Sequence, residues 1–281
     1  MNKLTSTKRS QVVSTLVEGC SIRSTVRMTG VAKNTVTKLL VDLGAVCSAE
    51  QDRLMRNLPC RRLQLDEIWS FCYSKQKNLP VEKQGEFGYG GVWTWVGMDA
   101  ETKIVPTWVI GKRDAGTARM FIEDLEPRLA NGAQITSDGL KVYLDAIDDT
   151  FRLNVDYAML IKMFGDDTRQ SEARYSPPQC TGTRQTALIG NPDSKHISTS
   201  YIERQNLTMR MGMRRFTRLT NAFSKRVENL AAAVSLHFIH CNFVRIHQTL
   251  RVTPAMAAGA TDRLWSIEDI VRLLEKVEES N

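Results

Sequence analysis

The sequence predicts an α/β chain in which a small all-helical segment precedes a mixed sheet flanked by helices. Three observations predict it. Apolar residues recur at helical spacing through residues 8–43, and from residue 62 the runs become strand-like and rich in aromatics. Beyond residue 110, amphipathic helical stretches alternate with short apolar strands, the pattern of a sheet built with crossovers.

The helical segment reads as three short helices. Val12, Val13, Leu16 and Val17 form the first stripe, which Gly19 ends, and Ser21 is placed to cap the second helix. A turn at Gly30 leads to a third helix with Val36, Leu39, Leu40 and Leu43 inward. A glycine in the turn between two such helices is the helix-turn-helix pattern, and it exposes Lys33, Asn34, Thr35, Thr37 and Lys38 at the start of the reading helix. A plain three-helix cap fits the same spacing. The expected division is a DNA-binding domain over 1–45, a linker over 46–61, a catalytic domain over 62–250 and a helical tail over 251–281.

RRLQLDEIWSFCY opens the sheet, and GVWTWVGMDA with KIVPTWVIG reads as a hairpin turning at Asp99. Trp93 and Trp95 share a face of that hairpin and read as core. Next come a helix (DAGTARMFIEDLEPRLA), a strand (AQITSDG), a helix (LKVYLDAIDDTF) and a strand (VDYAMLIKMF). Residues 164–197 are polar and Pro-dotted without periodicity, and are expected as a long loop. Helices follow over STSYIERQNLTMRMGMRRF and SKRVENLAAAVSLHFIHCNFVRIH, and a terminal helix starts at a Ser266–Asp269 capping pair.

Charge is segregated along the chain. Residues 1–62 carry net +7, residues 63–160 net −5, residues 161–250 net +7 and the remainder net −2. An acidic middle between basic blocks suits a cation site set among nucleic-acid-binding surfaces, although basic blocks are also ordinary solvated faces. The six cysteines are scattered without a CxxC pair, which argues against a zinc ribbon and a disulfide framework. No apolar run reaches the length of a membrane span, and the N-terminus lacks a signal-peptide core. A cytoplasmic, nucleoid-associated protein without membrane contact is expected.

Three carboxylates stand out. Asp66 interrupts an apolar strand, where a buried charge needs a cation or strong donors. Strand alternation sends Glu67 to the opposite face, so only one of the two is expected to join a site, Asp66 with Gln64 and Ile68. Asp138 follows a strand, where Asp-Gly is also ordinary turn chemistry. Glu203 lies on a helix, three residues after Ser200, which fits a capping box equally well. Along that helix Ile202, Met209, Met213 and Phe216 form an apolar stripe, beside one of Glu203, Leu207, Arg210 and Arg214. Converging acids of this kind can hold two divalent ions that clamp the attacking and leaving oxygens of a phosphodiester. His237 and His240 sit among apolar neighbours and read as packed.

LQLDEIWSF, ITSDGLKVY and SYIERQNLTMR together resemble the transposases of the insertion-sequence-one family, within the wider DDE transposases, and HCNFVRIHQTLRVTPAMAAG resembles the tail of that and related families. The likeness covers residues 62–258. It implies a ribonuclease-H-like core with the first Asp on the first strand, the second just after the fourth, and the Glu on a helix after the fifth. Carried over, Asp66, Asp138 and Glu203 become the catalytic metal ligands for two Mg²⁺ or Mn²⁺ ions. Arg204, Asn206 and Arg210 become their neighbours, and Arg204, Arg210, Arg214 and Arg215 are expected to contact DNA. The implied activity is cleavage at an element's end and transfer of the 3′-OH to target DNA, by a homodimer or higher assembly on double-stranded DNA. The cysteine zinc module often found before the helix-turn-helix in that family is missing from this sequence. A nuclease that cuts without joining, and a non-enzymatic helix-turn-helix regulator, remain as the competing readings.

Overall fold

A computed structural model describes residues 3–152, 154–164, 180–217 and 220–280. Three helices come first: α1 (Ser6–Val17), α2 (Ile22–Thr29) and α3 (Lys33–Leu54). The Ser21 hydroxyl accepts the Ser24 amide at 3.1 Å, and Gly30, at φ 70°, ends α2 in the left-handed conformation that a side chain would strain. The expected inward residues Val12, Val13, Val36, Leu39, Leu40 and Leu43 are all buried.

α3 differs from expectation, because it continues to Leu54 through the first half of the segment anticipated as a linker. Gly44 lies inside the helix and is a contact point with α7 (Val227–Ile239), where a Cβ would meet Ala232 at 2.4 Å. Ser235 of α7 donates its hydroxyl to the Gly44 carbonyl at 2.9 Å, so the two backbones cross at close range.

The sheet contains β1 (Arg62–Cys72), β2 (Gly90–Asp99), β3 (Thr107–Gly111), β4 (Ala133–Ser137), β5 (Val155–Phe164) and β6 (Cys180–Ile189). Its order is β3-β2-β1-β4-β5-β6. β1, β4 and β5 run parallel, while β2, β3 and β6 are antiparallel to their neighbours. α4 (Ala115–Leu125) and α5 (Val142–Phe151) form the crossovers, as the alternating pattern predicted. β6 corrects the expected long loop over 164–197. It pairs with β5, yet its residues are exposed or half-buried on both faces, so no alternation marks it in the sequence. Part of the expected loop, residues 165–179, lies outside the described residues.

Trp95, Phe121 and Tyr143 fill one face of the sheet, with the Trp95 and Tyr143 rings 5.2 Å apart edge to face. The opposite face receives α6 (Ser200–Gly212), whose Ile202 and Met209 are fully buried. After α7 the chain makes a π-helical turn (His240–Val244), where the Asn242 side chain exchanges two hydrogen bonds with Val105 at 3.1 and 3.0 Å. α8 (Pro254–Ala257) and α9 (Ile267–Ser280) complete the chain. Ser266 and Asp269 exchange side-chain and amide hydrogen bonds of 2.8 and 3.3 Å, the expected reciprocal cap. α9 packs on α1 and α3, and Arg9 clasps Glu278 at 3.0 and 3.1 Å. Among the described residues, no helix is long and apolar enough to cross a membrane.

Candidate functional site

β1 and β4 stay in parallel register up to Leu65 opposite Ser137, where β4 ends. Asp66 and Asp138 are each the next residue. Both therefore stand at the carboxyl end of β4, in the crevice where open α/β sheets collect ligands. Oxygens of Asp66, Glu67 and Asp138 all lie within 4.8 Å of one another.

Glu67 corrects the expectation that only one of the adjacent acids could join. Strand alternation does send it to the other face, opposite Trp95 and toward Tyr143. However, no backbone of β4 separates the two faces beyond Ser137, so side chains from both reach the gap that Asp138 fills.

The donors around the cluster are specific. Asp66 accepts the Glu67 amide at 2.8 Å and the Asn206 amide group of α6 at 2.8 Å. Glu67 is buried and accepts the Tyr143 hydroxyl and, at 3.0 Å, Nε of Arg113. Arg113 also places Nη2 3.6 Å from Asp138 and lies over the Trp93 ring, 4.8 Å from its centroid. Asp138 accepts the Leu140 amide at 2.9 Å, so the turn chemistry of Asp-Gly is present together with membership of the cluster.

Burial, followed by the Asp138 charge, pushes the Asp66 carboxyl up to about 6. Burial also pushes Glu67 up, to about 7, against the lowering effect of Tyr143. Negative charge is thus crowded here beyond what the surrounding donors neutralise.

Glu203 stands outside this group. It sits in the first turn of α6, where it accepts the Thr199 hydroxyl at 2.6 Å and pairs with Lys162 of β5 at 2.5 Å. The alternative Ser200 capping box is not formed. The Gln64 side chain, reaching from β1, accepts the Tyr201 and Ile202 amides at 2.9 and 3.0 Å and serves as the cap. Gln64 and Asn206 together fix α6 against the strand that carries Asp66. Glu203 is still close enough that its charge contributes to raising Asp66.

The residues expected to face DNA divide by exposure. Lys33, Asn34, Thr35 and Lys38 are exposed on the first turns of α3, with Lys38 paired to Asp42 at 2.5 Å. Thr37 is half-buried and returns its hydroxyl to the Lys33 carbonyl at 3.0 Å. Arg204 and Arg214 are exposed, while Arg210 is half-buried. Arg215 is drawn inward, donating from Nε to Ser224 at 2.8 Å, and burial pulls its pKa down to about 10. His237 is buried, and its pKa falls to about 3 through burial, as suits a packed ring. All six cysteines are free.

Sequence reasoning missed Glu67, Arg113, Tyr143 and Lys162. Lys162 did carry a signal, since it interrupts the apolar run of β5 much as Asp66 interrupts that of β1.

No family model matches the chain, and no curated protein does. Among solved structures, it is similar to a piggyBac transposase synaptic complex with hairpin DNA, at 10% identity and a TM-score of 0.40, covering 98% of this chain and 71% of that one. It is also similar to the Mos1 strand transfer complex, at 11% identity and a TM-score of 0.25, covering 84% of this chain and 78% of that one. At these scores the likeness identifies neither a family nor an activity.

Proposed function

We propose that this chain is a DNA transposase of the DDE type, with a ribonuclease-H-like core and the helices α1–α3 as its helix-turn-helix reader of element ends. The observation that carries the reading is the crowding of Asp66, Glu67 and Asp138 at the end of β4, with their oxygens within 4.8 Å and two of the three acids raised by burial and mutual charge. Such a group gains most from a hard divalent cation. The donors are carboxylate oxygens, with no sulfur or imidazole in the cluster, which favours Mg²⁺ or Mn²⁺ over zinc.

Asp66, Asp138 and Glu203 would hold the ions. When bound, two such ions supply positive charge at the attacking and leaving oxygens of a phosphodiester. Asn206 fixes the Asp66 carboxylate, and Arg113, anchored on Glu67, lies against Asp138. Glu67 acts here as a positioning residue, because it holds the Arg113 guanidinium that lies against Asp138. Glu203 must exchange Lys162 for a cation in order to join. The exposed start of α3, with Lys33, Asn34 and Thr35, suits entry into a major groove, and a transposase of this type works as a homodimer or larger assembly holding two DNA ends.

The test is a strand-transfer assay with a labelled element end, a supercoiled target and Mg²⁺ or Mn²⁺. Joined products that disappear in EDTA support the reading. Hydrolysis without joining would assign a nuclease, and sequence-specific binding with neither product would assign a regulator.

A further inference from the structure

We propose that the cleft at the far end of β1 binds unpaired bases of a DNA strand leaving the acidic cluster. Trp69, Phe71 and Tyr73 follow Asp66 along the same stretch of chain, and Trp69 and Tyr73 are 37% and 36% exposed. Trp69 and Phe71 lie with ring centroids 5.7 Å apart, and Phe71 and Phe223 4.7 Å apart, which makes a tilted row of three rings. The row opens on a cavity of about 700 Å³. Lys75, Lys77, Arg210 and Arg215 also line it, and among its described lining residues there is no Asp or Glu. Lys225 lies over Phe223 at 4.6 Å and over Tyr73 at 5.8 Å.

A second observation points to a ligand. Ser70 lines the same cavity and is only 4% exposed, and its hydroxyl has no hydrogen-bond partner. A hydroxyl without a partner in the cavity wall gains from a base edge or phosphate oxygen that reaches it.

Rings supply stacking that every base can accept, while the cations supply phosphate contacts. Together they make the surface that single strands bind. An apolar protein partner would cover Lys75, Lys77 and Lys225 without bringing negative charge, whereas a nucleotide strand brings one phosphate per base. Position agrees with chemistry. From Asp66 to Trp69 the strand rises about 10 Å, the span of about three stacked nucleotides. A phosphodiester held at the cluster would thus have its near neighbours at the rings, which requires them to be unpaired. This assignment rests on the phosphoryl-transfer reading for its direction along the strand, but its test does not require turnover.

The full chain is titrated in EDTA, at 150 mM salt, against a labelled oligothymidylate and against a duplex of equal length, with fluorescence anisotropy as the readout. Trp69→Ala should weaken single-strand binding by at least about fivefold, the lower range of one lost base stack, while Trp69→Phe retains most of it. Lys225→Gln should weaken it less and flatten its salt dependence. Melting curves check that each variant folds, which is expected of a half-exposed side chain. Unchanged single-strand affinity in Trp69→Ala, or a duplex bound as tightly as the single strand, would overturn the assignment. So would a concentration-dependent dimer that Trp69→Ala abolishes, since a second copy would then own the cleft. Loss of strand transfer with this binding intact would count against the proposed function alone.

Discussion

The acids of the site are held in two different ways, by strands and by a helix. Asp66 and Asp138 ride on neighbouring parallel strands whose register is fixed by a backbone ladder through Leu65 and Ser137. They cannot separate without breaking the sheet, so they crowd together and their repulsion is built into the fold. Glu203 rides on α6, which is tied to β1 through Gln64 and Asn206, and its flexible carboxylate has gone to Lys162. Ladder-bound charge accumulates strain; helix-bound charge relaxes to the nearest cation. A cation-binding site built from both is preformed in its strand half and adjustable in its helix half.

The largest effects should separate the two halves. Asp138→Asn and Glu203→Gln are both expected to lower strand transfer by about 10³-fold or more, because each removes several kcal/mol of charge stabilisation supplied through the ions. Their stabilities should diverge. In EDTA at pH 8, Asp138→Asn should melt higher than the wild type, since it relieves repulsion on Asp66 and Glu67. Glu203→Gln should melt no higher, because it loses its Lys162 partner. Equal melting shifts in the two variants would erase the distinction.

The pH dependence sharpens the same contrast. Asp66 and Glu67 rise to about 6 and about 7 in the folded chain, above the ordinary carboxylate range of about 4. The fold therefore holds these protons more tightly than the unfolded chain does. Their contribution is fully present below about pH 4 and is lost as pH rises through about 7. Metal-free protein should thus lose melting temperature across that window from these two groups. Millimolar Mg²⁺ should restore it at pH 8 and do little at pH 5, where protons compete. A Mg²⁺ shift of equal size at both pH values would show that the ions bind elsewhere.

The same division governs how far the fold and site could be read from the sequence. The element order through β5 was legible because each element buries one face and so imprints a period of two or 3.6 on its apolar residues. β6 was not, since neither of its faces is buried. α3 runs past the boundary expected at 46, and Gly44 within it admits Ala232 without ending the helix. Asp66 and Asp138 were legible as polar breaks in apolar runs. Glu67 was excluded by alternation, a rule that assumes neighbouring strands on both sides, and here β4 stops two residues short of it. Arg113 was missed because a partner across the sheet leaves no local pattern, whereas Lys162 did leave one, a polar break in the apolar run of β5.

A smaller effect concerns how α6 is held. Gln64→Leu keeps the side-chain volume but removes the acceptor for the Tyr201 and Ile202 amides at the helix start. Loss of a helix cap costs about 0.5–2 kcal/mol, so a shift of that size in chemical denaturation is expected. Glu203 would lose its fixed starting point, and Mn²⁺ affinity should weaken along with stability. Asp66 and Asp138 remain paired by the ladder, so residual Mn²⁺ binding should persist. A Gln64→Leu protein of full stability would show that the Asn206–Asp66 contact alone anchors the helix.

The smallest effect should come from Lys162, and its sign is informative. Lys162 and Glu203 are each partly exposed, and such pairs contribute only about 0.2–1 kcal/mol. Lys162→Met should therefore leave the melting temperature nearly unchanged. If Lys162 merely holds Glu203 until a divalent cation arrives, its removal spares the ion the cost of displacing it. Mn²⁺ affinity, read by calorimetry, should then tighten by about 1.5–5-fold, the same energy expressed as an equilibrium ratio. Weaker Mn²⁺ binding in Lys162→Met would mean instead that the lysine positions Glu203 for the ion. The helix half would then be as preformed as the strand half, and the contrast between them would fail.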